Sequence, residues 1–232
     1  MQDSVFFKEE TNMIIEHIKK RYKQKVILDD ITFEAKSGQC VGILGSNGSG
    51  KSTLLNILAG IIKPNNGTFV YDGMNLLLNN KQHAKLVGYV PQSAPLLEEL
   101  SAKDNLSLWY TPQEMEKELS TGVLGLLGIS DFMKTPVYKM SGGMKKRLAI
   151  GCAVAHKPKI LLLDEPSAAL DLICKERISM YLQEFKANGG IILLATHDLQ
   201  ELPLCDTLYI LKHGTFKPFD YKGDVHRLVG ML

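Results

Sequence analysis

Residues 39–44, 160–163 and 191–195 read QCVGIL, ILLL and IILLA, runs in which almost every position is apolar. Runs this short without polar alternation predict strands buried on both faces, as in a parallel sheet. Residues 86–90 form a similar run, stopped by Pro91. Residues 13–18 and 26–33 mix apolar and β-branched positions with polar ones and also predict strands, with the basic stretch Lys19-Lys20-Arg21 following the first. The period changes after residue 50. Leu54, Leu55, Ile57 and Leu58 with a stop at Gly60 predict a helix over 51–60, and a second helix is expected over 175–188. Between 101 and 155 apolar residues recur at helical spacing, as in Leu119, Val123, Leu124, Leu126 and Leu127, so this stretch reads as a mostly helical insertion. Residues 207–211 and 215–219 flank His213-Gly214 and predict a closing hairpin. Short buried strands alternating with helices define an α/β fold with a mostly parallel sheet.

Composition narrows the class. At 232 residues the chain suits one domain with its own core, and 45% hydrophobic with 22% charged residues excludes a disordered, collagenous or coiled-coil protein. Lys+Arg exceed Asp+Glu by 27 − 25 = 2, so no nucleic acid is expected as a partner. Cys40, Cys152, Cys174 and Cys205 have no metal or redox spacing and read as small buried hydrophobes in a reducing compartment. Residues 1–10 lack the apolar core of a signal peptide, and no window is apolar enough to span a membrane, so any membrane-spanning part is expected on another chain.

The clearest chemistry follows the strand at 39–44. Gly45-Ser46-Asn47-Gly48-Ser49-Gly50-Lys51-Ser52-Thr53 fits G-x-x-x-x-G-K-[ST] between a predicted strand and a predicted helix. Glycines let successive N–H groups converge on an anion, and the helix N-terminus adds partial positive charge. Lys51 is placed to reach the outer phosphates of a nucleotide and the Ser52 hydroxyl to ligate Mg²⁺. The strand at 160–163 ends in Asp164-Glu165, at the strand end where parallel sheets bind ligands. Asp164 suits a metal-facing role and Glu165 the polarising of an attacking water. A strand ending in two acids is by itself equally a solvated strand end; the upstream loop gives the pair its meaning.

Further short features occur in a fixed order: Gln92 after the strand at 86–90, Ser141-Gly142-Gly143-Met144-Lys145-Lys146-Arg147-Leu148 in the helical insertion, Asp164-Glu165-Pro166 leading to Ser167-Ala168-Ala169-Leu170-Asp171, and Thr196-His197-Asp198 after the strand at 191–195. This set resembles the ATP-binding cassette (ABC) ATPases, the nucleotide-binding subunits of ABC transporters, over residues 13–219. The resemblance implies a P-loop NTPase core, with an antiparallel β subdomain within 1–92, the rest of the core at 156–232, and a helical subdomain at 93–155. It implies that Tyr22 stacks on adenine, although Tyr22 could also merely end a strand. It implies that Gln92 touches Mg²⁺ and the attacking water, that His197 contacts the γ-phosphate, and that Asp171 lies on a dimer interface. Ser141, Gly142 and Gly143 match the signature that completes the ATP site of a second subunit, so a head-to-tail dimer holding two ATP molecules is implied. So is a separate transmembrane permease subunit, with this chain peripheral on the cytoplasmic face of the membrane.

The usual signature ends in Gln, whereas Met144 stands here. Ser-Gly-Gly-Met followed by basic residues resembles export-type ATPases of the ABC-2 class, and residues 96–101 lean the same way. The cluster Lys145, Lys146 and Arg147 is read as a solvated helix face. Leu96, Leu97 and Leu100 fit either core packing or docking of the membrane subunit. A soluble ABC protein acting on a ribosome or a scaffold is the alternative, and a GTPase is disfavoured by the lack of an Asn-Lys-x-Asp motif.

Overall fold

The computed structural model describes residues 12–168 and 170–232. In order the strands and helices are β1 (Asn12–Tyr22), β2 (Lys25–Lys36), β3 (Cys40–Leu44), α1 (Lys51–Leu58), β4 (Asn66–Tyr71), β5 (Met74–Asn75), α2 (Asn80–Leu86), β6 (Val87–Val90), α3 (Ala102–Ser107), α4 (Pro112–Ser120), α5 (Val123–Leu126), α6 (Gly142–Ala153), β7 (Ile160–Asp164), α7 (Leu172–Ala187), β8 (Ile191–Ala195), β9 (Thr207–Lys212), β10 (Thr215–Pro218) and α8 (Val225–Met231). The expectation for residues 1–10 lies outside the described residues.

The main sheet has the order β10-β9-β3-β8-β7-β6. All its pairs are parallel except the β9–β10 hairpin. Every residue of β3, β7 and β8 is buried. Alternation splits each strand between two cores. Ile160 and Leu162 of β7 pack with Val41, Ile43, Leu54 and Leu58, on the side covered by α1 and the second sheet. Leu161 and Leu163 pack with Leu148, Ile150, Ile178 and Leu182 of α6 and α7. Apolar burial on both faces is why these segments read as unbroken hydrophobic runs. The second sheet is antiparallel, in the order β2-β1-β4-β5, and contributes Met13, Ile15, Phe33 and Phe69 to the first core.

Lys19-Lys20-Arg21 lies inside β1 rather than after it, because the exposed half of a two-stranded ribbon tolerates charge. The apolar series 119–127 is not one helix: α4 stops at Ser120 and α5 starts beyond Gly122. Strand β4 and helices α2 and α8 were not expected, and α8 places Leu228 against Leu44, Ile210 and Phe219. Helix α7 starts three residues early, capped by Asp171, whose side chain accepts from the Cys174 N–H. The four cysteines are free, Cys40 and Cys174 buried and the others half-buried. Among the described residues no helix is long and apolar enough to cross a membrane.

Candidate nucleotide site

The loop 45–50 leaves the C-terminal end of β3 at the centre of the sheet and delivers the chain into α1. Gly48 and Gly50 have φ of +78° and +112°, in the region that favours glycine, and Ser49 N–H closes a turn on Ser46 O at 3.1 Å. Gly50 has no room to spare, since a Cβ there would meet Ile27 and Leu28 of β2 at 3.1–3.3 Å. The second sheet therefore packs directly on the loop. Lys51 is buried, and its ammonium donates to Gly45 O at 2.6 Å and Ser46 O at 3.3 Å. Burial pulls its pKa below the usual lysine value, while Glu165 and Asp164 oppose that shift.

Asp164 ends β7 beside this loop, with the Ser52 side chain close to its carboxylate. Burial raises its pKa, and the neighbouring Ser52 hydroxyl acts against the rise. Glu165 follows, buried, with φ of +49° and its N–H bonded to Ala195 O at 2.9 Å. A non-glycine residue in this conformation costs on the order of 1 kcal/mol and is a mark of functional sites. Gln92 Nε2 donates to Glu165 Oε2 at 2.9 Å, and His197 Nδ1 lies 3.1 Å from Glu165 Oε1. Two strand ends, β6 and β8, thus supply the groups that hold the carboxylate presented by the third, β7. The loop behind His197 is braced by Asp198, which pairs with Lys175 at 2.5 Å and accepts from Ser167 Oγ at 3.3 Å.

The residues fit a polyphosphate with a divalent cation. Ser49 Oγ is buried with no hydrogen-bond partner among the described residues, as a group awaiting an unseen partner would be. The loop carries the glycine conformations of an anion cradle. Ser52, Asp164 and Gln92 offer few protein oxygens, as suits Mg²⁺, which keeps most of its shell for water and phosphate.

The other expected residues fall into two places. Ser141 caps α6 by accepting from the Met144 N–H at 3.3 Å, and Ser141 and Gly142 are exposed. A Cβ on Gly142 would lie 3.8 Å from Leu170, and one on Gly143 would strike Cys174, with Asp171 at 3.9 Å. The Ser141 turn and the Asp171 turn therefore share one surface. Tyr22 lies at the end of β1, 46% exposed, with the Lys20 ammonium 5.0 Å from its ring centre. The ribbon it ends returns as β2 over Gly50.

The basic cluster is not a solvated face. Lys146 and Arg147 are 7% and 8% exposed, and Lys145 is only partly so. Arg147 stacks on Phe132 and donates to Leu127 O at 2.8 Å. Lys146 donates to Pro91 O at 3.2 Å and Gln92 O at 3.1 Å. Their spacing from Gly143 and Ile150 is that of a buried helix stripe, a signal the charges concealed.

A glycine-nested phosphate loop, an adjoining pair of strand-end carboxylates and a Ser-Gly-Gly helix start with Ser141 and Gly142 exposed define a nucleotide-hydrolysing cassette. The model of the ABC transporter family matches residues 28–168, and the chain belongs to that family as an ATP-binding, ATP-hydrolysing domain. It is 31% identical over 93% of its length to the linearmycin resistance ATP-binding protein LnrL of Bacillus subtilis, spanning 71% of that protein. It is 34% identical over 85% of its length to the Nod factor export ATP-binding protein I of Sinorhizobium fredii, spanning 59% of that one. A solved structure described as the ATP binding subunit of an ABC transporter superposes with a TM-score of 0.81 at 28% identity, covering 94% of this chain and 93% of the other.

Proposed function

We propose that this chain powers translocation, of the export type, through a separate membrane subunit on the cytoplasmic face, by closing and opening as a head-to-tail dimer around two ATP molecules. The export reading is supported by the Ser-Gly-Gly-Met-Lys-Lys sequence and by the name of the relative from Sinorhizobium fredii. The whole of residues 1–232 acts as one ATPase domain, with 93–155 as the helical part that carries Ser141.

The roles follow from placement. The loop N–H groups of Gly45, Ser46, Asn47, Gly48, Ser49 and Gly50, with Thr53 in the first turn of α1, bind phosphate oxygens, and Lys51 neutralises the outer phosphates. Tyr22 offers a ring face to the base. Ser52, Gln92 and Asp164 hold Mg²⁺, which when bound draws negative charge off the β- and γ-phosphates. Glu165 accepts hydrogen bonding from a water and orients it for in-line attack, while Gln92 and His197 fix the carboxylate that does so. His197 also donates to the transferring phosphoryl group. Ser141, Gly142 and Gly143 meet the γ-phosphate bound by the other copy, with Asp171 at the same interface. Hydrolysis removes that bridging charge and releases the pair, a two-state element biased by its ligand.

The observation that carries this reading is the Glu165 carboxylate, buried and gripped from both sides by Gln92 and His197 beside the Lys51 loop. Phosphate release by purified protein with ATP and Mg²⁺ tests it. Glu165→Gln should slow turnover by about 10²-fold or more with ATP binding retained. Turnover at the wild-type rate would remove Glu165 from the chemistry.

A further inference from the structure

Lys146 is a buried cation whose hydrogen bonds go to two main-chain carbonyls rather than to a carboxylate. Burying an ammonium is costly, and a methionine would fill the same space on a helix already packed into an apolar core. What the charge holds is informative. Pro91 O and Gln92 O lie at the start of residues 91–101, a segment with no regular structure between β6 and α3. The neighbouring Lys145 bridges to Glu98 in the same segment at 3.2 Å, but that pair is part-exposed and weak. The buried attachment is the one at Gln92, and the side chain of Gln92 in turn donates to Glu165.

We propose that Lys146 is a positioning residue that ties helix α6 to the backbone of Gln92 and, through Gln92, sets where the Glu165 carboxylate stands. Asp164, Glu165 and Glu201 surround the ammonium electrostatically and oppose the loss of charge that burial favours. Glu201 itself is largely buried, and one of its carboxylate oxygens has no hydrogen-bond partner among the described residues. Lys146 lies five residues from Ser141 on one rigid helix, about 7.5 Å along its axis. The inference rests on the proposed dimer mechanism and deepens it. When the exposed Ser141 turn closes on nucleotide in the other copy, any shift of α6 moves Lys146, and with it Gln92 and Glu165 of its own site. Each subunit's catalytic carboxylate is thereby set according to whether its own Ser141 turn is engaged.

A double-mutant comparison tests this. ATP turnover and fluorescent-nucleotide affinity are measured for wild type, Lys146→Met, Lys146→Arg, Gln92→Ala and the pair Lys146→Met with Gln92→Ala. Lys146→Met should lower kcat about tenfold, as expected when a catalytic group is displaced by a fraction of an ångström, with ATP affinity changed less than about twofold. Lys146→Arg, which keeps charge and donors, should recover most of the rate. In the Gln92→Ala background Lys146→Met should cost almost nothing further, because the path is already cut. Should Lys146→Met fail to fold, Lys146→Gln replaces it in both backgrounds, with the same expectation of non-additivity. Additive losses, or a fall in kcat that follows lost ATP affinity, would overturn the role of Lys146. The mechanism beneath it fails separately, if wild type does not hydrolyse ATP or Glu165→Gln keeps the full rate.

Discussion

Gly48 and Gly50 show how one residue type answers two demands. Both have positive φ, but a Cβ on Gly48 would meet nothing within 4 Å, whereas one on Gly50 would press on Ile27 and Leu28. Gly48→Ala should therefore cost only backbone strain, about 1 kcal/mol. Gly50→Ala adds steric conflict with β2 and should cost about 2–3 kcal/mol. Urea unfolding of the two variants checks this ordering, and equal losses would mean that the second sheet does not press on the loop. The glycine, lysine and serine spacing was legible in the sequence because backbone requirements are written in residue type. The burial of Lys146 was not, since a lysine carries no mark of the interior carbonyls that receive it.

At the scale of elements, the strands buried on both faces were the easiest to read, because β3, β7 and β8 keep apolar residues at every position. Strand β4 has a weak sequence signal: only Phe69 of its six residues is buried, and it lies between β1 and the two-residue β5 in a small antiparallel sheet. Helices α3 and α4 are short and owe much to their starts. Ser101 with Asp104 and Thr111 with Glu114 form reciprocal caps. The bonds from the Ser101 side chain and backbone hold the Asp104 carboxyl below its usual range, and those from the Thr111 backbone and side chain do the same for Glu114. A carboxyl depressed in the folded state stabilises above the unfolded pKa, near 4, and loses that contribution as pH falls through the folded value. Thermal melts of Asp104→Asn with Glu114→Gln should lie below wild type at pH 7, and the gap should narrow toward pH 3. A gap that is constant with pH would show that the caps act without their charge.

The whole molecule brings the phosphate loop and the Asp164–Glu165 strand end into one cluster with Gln92 and His197, while the Ser141 and Asp171 turns form a separate exposed surface. Ser141 and Gly142 are exposed at a helix start, which supports the proposal that phosphate bound by a second copy meets them. The family pattern was legible because it is spread over short motifs in fixed order. Contacts made only by folding, such as Lys146 on Gln92 or β2 on Gly50, were not. The most direct test is light scattering on Glu165→Gln during size-exclusion chromatography, with and without saturating ATP. The protein should elute at monomer mass alone and at dimer mass with nucleotide, and Ser141→Arg should abolish the shift. A Glu165→Gln protein that binds ATP and stays monomeric would contradict the account.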